Sequence, residues 1–168
     1  MPKIERIKKR HLLKKKEQRR EIDRIEGDLG SVVEGLDEDA QLERGVLDDG
    51  SLVLLLDGEL VFFEHEKRMF PTLRSLLDGI VTIPEVTVDM GAVRFVVNGA
   101  DIMRPGITQV DNGISANDIV AVVDETHRKP LAIGVSKIST EELRATDTGK
   151  VVFSVHHVND ALWEFGKD

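Results

Sequence analysis

Cysteine and tyrosine are absent from this chain of 168 residues, and tryptophan occurs once. Without thiols there is neither a disulfide framework nor a thiolate metal site. Six phenylalanines complete the aromatic set. Four of them, Phe62, Phe63, Phe95 and Phe153, sit in apolar patterns that read as core. Little is then left over for a platform on which unpaired bases stack. No apolar run approaches the ~20 residues of a membrane span. The N-terminus lacks the apolar stretch of a signal peptide. The expected location is the cytoplasm, with no membrane partner.

Catalytic signatures are missing as well. There is no phosphate-binding loop, no nucleophile elbow and no H-E-x-x-H motif. His156 and His157 are adjacent, and adjacent residues on a strand point to opposite faces, so the pair does not suit one metal ion. His11, His65 and His127 are scattered. Acidic residues are abundant, but no spacing singles out a general acid and base. The expectation is a protein without catalysis, cofactor or metal.

What the chain does have is a division of charge. The net charge is −8. Residues 1–20 carry ten Lys/Arg against two Glu, whereas the remaining 148 residues carry thirteen Lys/Arg against twenty-nine Asp/Glu. A basic arm on an acidic body points to docking on a polyanion, with Lys8, Lys9, Arg10, Lys14, Lys15, Lys16, Arg19 and Arg20 as the docking cations. The acidity of the body argues against broad, non-specific nucleic-acid binding. It also fits a salty cytoplasm.

The pattern of residues predicts two small domains, 1–82 and 83–168, meeting near Pro84. Residues 3–26 read as mostly helical, with Ile4 and Ile7 fitting either a strand or the first helical turn, and with Gly27 and Gly30 as stop signals. Val32-Val33 and Val46-Leu47 read as short strands. Leu52–Leu56, Asp57-Gly58 and Glu59–Phe63 form a clear hairpin signal. Thr72–Asp78 reads as a short helix with Leu73, Leu76 and Leu77 on one face, ended by Gly79. Beyond it come short strands at Val86–Val88, Asp101–Met103, Asp118–Val123, Leu131–Ser136 and Val151–His156. One helix starts after Asp89 as N-cap, another after the capping-box pair Ser139 and Glu142. Many short strands with turns between them suggest a small barrel, closed by Trp163 near the C-terminus.

Residues 86–107, VTVDMGAVRFVVNGADIMRPGI, resemble the opening of PUA domains: a strand ending in Asp, Gly-Ala at a helix start, Asn-Gly-Ala, a short strand, then Pro-Gly. Asp89, Gly91, Ala92, Asn98, Gly99, Ala100, Pro105 and Gly106 fit that pattern. The stretches 118–135 and 149–165 fit the remaining strands. Upstream, ELVFFEHEKRMFPTLRSLLDG (59–79) is similar to the pre-PUA domain of the malignant-T-cell-amplified-sequence family. That family includes archaeal stand-alone PUA proteins and the N-terminal part of ligatin-type translation factors. KKRHLLKKKE (8–17) matches the same region, with Leu13-Lys14-Lys15 in place of the family's Ser-Lys-Lys helix start.

The resemblance implies an α+β fold: a pre-PUA α+β domain followed by a C-terminal PUA β-barrel with short helices. It also implies an RNA-binding role at the small ribosomal subunit, in contact with tRNA near its end. The candidate RNA-binding residues are Gly91, Ala92, Arg94, Asn98, Arg104, Pro105, Gly106, Lys137 and Lys150. Gly91 and Ala92 sit where free helix amides and close backbone approach favour a phosphate. Arg94 and Arg104 are isolated arginines suited to phosphate. Against each stands a plainer reading: glycines that let the helix pack on the barrel, and arginines in ordinary salt bridges.

The expected partners are structured RNA, namely tRNA and small-subunit ribosomal RNA, and a translation-factor protein. Two alternatives compete with an RNA-binding translation protein. One is a protein-interaction module that keeps the barrel as scaffold. The other is an accessory subunit of an RNA-modification enzyme.

Overall fold

The computed structural model describes residues 4, 6–37 and 39–165. Its contacts divide the chain into two units, Met1–Thr82 with Ala161–Asp168, and Ile83–Asp160.

The first unit is built on a five-stranded antiparallel sheet in chain order: β1 Lys8–Leu12, β2 Leu42–Val46, β3 Leu52–Leu56, β4 Glu59–His65 and β5 Arg68–Pro71. Strand β1 corrects the expectation of helix across residues 3–26. Lys8 pairs with Val46, and His11 and Leu12 pair with Arg44 and Glu43. Cross-strand pairing overrides a local run whose Lys and Arg residues favour helix. Helix α1 is therefore shorter, Lys15–Leu29. Its end is marked by Gly30, whose N–H donates to Glu26 O at 2.9 Å, while Gly27 lies inside it. Ile25 and Leu29 are its buried residues, and it packs on β5. Gln18 fixes it to the chain entering β2, accepting from Leu42 N and donating to Ala40 O.

The β3–β4 hairpin forms where Asp57-Gly58 predicts it. Asp57 has φ 51° and Gly58 φ 83°, the left-handed pair that a two-residue turn of the right twist requires. Val53, Leu54 and Leu55 are all buried, so β3 is covered on both faces. Helix α2, Leu73–Leu77, is capped by Thr72, whose hydroxyl accepts from Ser75 N and donates to Leu60 O. Leu73 is buried, but Leu77 faces solvent at 44% exposure; a helix this short turns only one edge inward. Val32-Val33 lie in a loop rather than a strand. The last helix, α5 Ala161–Glu164, belongs to this unit. Trp163, expected to close the barrel, lies on this helix.

The second unit is a six-stranded sheet. Its strands are β6 Glu85–Val88, β7 Ile102–Met103, β8 Ile107–Val110, β9 Ile119–Asp124, β10 Pro130–Ser136 and β11 Lys150–His157, in the order β7-β11-β10-β9-β6-β8. β6 and β9 run parallel; the other pairs are antiparallel. The outermost strands, β7 and β8, are neighbours in sequence, joined by a single 3₁₀ turn, Arg104–Gly106. The sheet thus curls until its edges nearly meet, giving a nearly closed barrel. Val86, Val88, Ile102, Val120, Val122 and Val152 belong to its core. Helix α3, Met90–Val96, and helix α4, Thr140–Ala145, complete the unit. Asp89 accepts from Ala92 N at 2.9 Å, as an N-cap should. Ser139 and Glu142 close the expected capping box.

Candidate nucleic-acid interface

Helix α3 has two faces. Val93 and Val96 turn toward the barrel core. Gly91, Arg94 and Phe95 are exposed, and their spacing of three and four residues is that of one helical face; Asn98, in the turn that follows the helix, is exposed too. The Arg94 guanidinium stacks over the Phe95 ring, 4.7 Å from its centroid. Among the described residues Arg94 pairs with no carboxylate. Phe95 is 54% exposed and Phe153 42%. Both were expected in the core. The valines already fill the inward stripe of α3, so its phenylalanine is left outside.

The start of α3 differs from the expectation of free amides. Asp89 takes the Ala92 N–H, and Glu125 accepts from Met90 N at 3.3 Å. Two carboxylates therefore stand where a phosphate was expected. Gly91 nevertheless has no structural reason to be glycine. A Cβ there would meet only Asp89 Oδ1 at 3.4 Å, and its φ lies outside the left-handed region. Its lack of a side chain leaves open space on the exposed face.

The other small residues of the signature are bound up in packing. Ala92 packs on the barrel core, and a Cβ on Gly106 would come within 3.3 Å of its Cβ. Gly106 O accepts from Asp89 N at 2.9 Å. Gly99 has φ 89°, and a Cβ on it would lie 2.8 Å from His157 Nε2. His157 is held in place by its Nδ1, which donates to Val158 O at 2.8 Å. His156 is buried, with Nδ1 2.8 Å from Asp160 Oδ2. Asn98 is exposed, and its amide donates to Arg94 O at 2.8 Å. Pro105 is exposed on the turn joining β7 and β8.

Arg104 serves the fold. Its Nε donates to Leu143 O at 2.6 Å and one terminal nitrogen to Ile107 O at 3.1 Å. It ties α4 to the barrel seam, a use not legible from local residues because Leu143 is 39 positions away. Lys150 pairs with Asp101 at 3.2 Å, while Lys137 is exposed and unpaired among the described residues. The two lysines line one shallow depression of about 410 Å³ with Thr146, Thr148 and Gly149.

The basic segment is divided in the same way. Arg10 makes two hydrogen bonds to Glu43, at 2.5 and 3.0 Å. This contact holds the Glu43 carboxyl below its ordinary pKa. Arg19 meets Asp23 at 3.3 Å and Lys8 meets Asp48 at 3.9 Å. Lys9, Lys14, Lys15, Lys16 and Arg20 are exposed, with no carboxylate partner among the described residues. Lys14 is the N-cap residue of α1 and offers no acceptor; Glu17 instead accepts from Lys14 N at 3.1 Å. Three lysines thus crowd the positive end of the helix macrodipole, where cations are unfavourable by roughly 0.3–1 kcal/mol each.

Beside the start of α3, level with Val88, buried Asp124 organises the β9–β10 turn. It accepts from Thr126 N, His127 N and Lys129 N at 2.9, 2.5 and 3.1 Å. These donors, His127 N–H foremost, hold its carboxyl below the ordinary value. Arg128 in the same turn is paired with Glu85.

Comparison with known proteins places these features. The PUA domain model matches residues 84–158, and a model described as a domain of unknown function, DUF1947, matches residues 9–78. An uncharacterized protein of Methanocaldococcus jannaschii is 35% identical over 159 residues, 95% of this chain and 98% of that protein. Translation machinery-associated protein 20 of Saccharomyces cerevisiae is 33% identical over 132 residues, 75% of this chain and 73% of its own. Malignant T-cell-amplified sequence 2 of Homo sapiens is 38% identical over 115 residues, 66% of this chain and 64% of its own. Among solved structures, a PUA domain protein of Aeropyrum pernix in a tartrate complex superposes with a TM-score of 0.82. That structure is 29% identical and covers 97% of this chain and 92% of its own.

Proposed function

Since the chain belongs to the family that joins a DUF1947 domain to a PUA domain, that of translation machinery-associated protein 20 and the malignant T-cell-amplified sequences, we propose that it is a non-catalytic RNA-binding protein of the translation machinery. Its partners on this reading are tRNA and small-subunit ribosomal RNA, met in the cytoplasm during initiation or recycling. The observation that carries it is the exposed face of α3. There, an arginine without a carboxylate partner among the described residues lies beside a glycine the fold does not need.

The site divides by task. Gly91, Arg94 and Asn98 form the contact face, and Pro105 borders the barrel seam. Ala92, Gly106 and Arg104 shape that face rather than touch RNA. Lys137 supplies a second cation, and Lys150 is held in reserve by Asp101. Lys9, Lys14, Lys15, Lys16 and Arg20 supply electrostatic docking from the other unit. Arg10, Arg19 and Lys8 are engaged with their own carboxylates.

Fluorescence anisotropy with tRNA over a salt series tests the proposal. The expected result is binding that weakens linearly in log salt. Absence of binding, or binding indifferent to salt, would refute it.

A further inference from the structure

We infer that Glu125 is a specificity-determining residue: its carboxylate, together with that of Asp89, bars phosphate from the start of α3, so that a nucleic-acid backbone running along this helix is rejected. The inference rests on the RNA-binding reading and adds to it what the site refuses.

Glu125 comes to α3 from the β9–β10 turn. Its N–H donates to Val88 O at 3.0 Å, and its side-chain Oε1 accepts from Met90 N at 3.3 Å. Asp89 Oδ1 accepts from Ala92 N at 2.9 Å and would stand 3.4 Å from a Cβ on Gly91. The open space at Gly91 is therefore bordered by a carboxylate. Glu125 is exposed. Among the described residues neither it nor Asp89 pairs with a Lys, Arg or His side chain. The cations of the turn stand elsewhere. Arg128 is paired with Glu85, and Lys129 lies on the β10 side, where its carbonyl accepts from Asp124 N at 3.2 Å.

Magnitudes decide the sign of the charge at this helix end. The free amides of a helix start offer at most about half a positive charge. Two carboxylates outweigh it and leave the start of α3 negative. Arg94 follows Met90 by four residues and Asp89 by five, about 6–7 Å along the axis. That spacing lies within the Debye length of about 8 Å at physiological salt. A backbone laid along α3 with one phosphate at Arg94 thus brings a neighbouring phosphate under repulsion that salt does not remove. A backbone that crosses the helix at Arg94 avoids it. The second carboxylate is not needed as a cap: Asp89 already serves the Ala92 amide, and water can serve Met90 N on an exposed surface.

The test uses the full chain with tRNA and with a blunt RNA duplex, followed by anisotropy across a salt series. Glu125→Gln keeps an acceptor for Met90 N and removes the charge. It should tighten duplex binding by roughly 2- to 5-fold, the effect of one like charge at close range in water. It should also steepen the log–log salt slope for the duplex by about one phosphate contact. Binding of tRNA, docked across the helix, should not change. Glu125→Lys should tighten the duplex further. Glu141→Gln, at an exposed carboxylate on α4, removes the same unit of net charge and should alter neither affinity. If Glu125→Gln binds the duplex as the wild type does, or tightens duplex and tRNA alike, the filter is refuted and the RNA reading stands. If the wild type binds neither RNA, both fail together.

Discussion

Two glycines eight residues apart make opposite demands. Gly91 is glycine where the fold accepts a side chain; Gly99 is glycine where it does not. Gly91→Ala should raise stability by about 0.5–1 kcal/mol, because alanine loses less backbone entropy in a helix. The same change should weaken RNA binding. A variant that melts higher but binds less would separate a ligand-shaped residue from a fold-shaped one. Gly99→Ala should cost about 1–3 kcal/mol, from a left-handed φ and a clash with the His157 ring. Asp124 gives a prediction in pH. Its folded pKa is depressed, so its contribution is fully present above the unfolded value of about 4. That contribution is lost as pH falls through the lower folded value. Asp124→Asn should therefore destabilise by roughly 1–3 kcal/mol at neutral pH, and the gap from wild type should close in acid. Denaturant midpoints measured across that window would check it.

Helix α1 begins with Lys14, Lys15 and Lys16 where an acceptor and negative charge would stabilise it. Lys14→Ser should supply the missing cap and raise stability by about 1 kcal/mol, while lowering RNA affinity if this end docks on phosphate. Thermal melts and tRNA titrations of one variant would reveal both. Such conflicts between local preference and observed sequence are what a function imposes. They were legible in the residues, as were the Asp57-Gly58 hairpin, the Asp89 cap and the Ser139–Glu142 box. In each of these the partner lies within a few residues. Strand β1 was not legible, because the residues that make it a strand lie more than thirty positions away in β2. Nor was the exposure of Phe95: an apolar pattern announces a hydrophobic face without saying whether the short helix carrying it has already filled its core side. The engagement of Arg104 was hidden for a similar reason, since the carbonyls it serves are assembled only by the fold.

The acidic composition of the chain conceals a sparse set of usable cations in each unit. Lys9, Lys14, Lys15, Lys16 and Arg20 mark one, and Arg94 with Lys137 the other. Replacing Lys14, Lys15 and Lys16 together by Gln should flatten the salt dependence of tRNA binding by roughly 0.7–0.9 per lost phosphate contact. The barrel seam has a further consequence. β7 contributes only two residues, Ile102 and Met103, to the sheet, and the 3₁₀ turn after it is tied across by Arg104 N to Gly149 O. A ladder this short is where local opening costs least. Amides of β7 should exchange with deuterium well before those of β9 and β10, which are bordered by strands on both sides. An RNA held on the neighbouring helix would slow that exchange, so the binding face would report its own occupancy as a hinge that stops breathing.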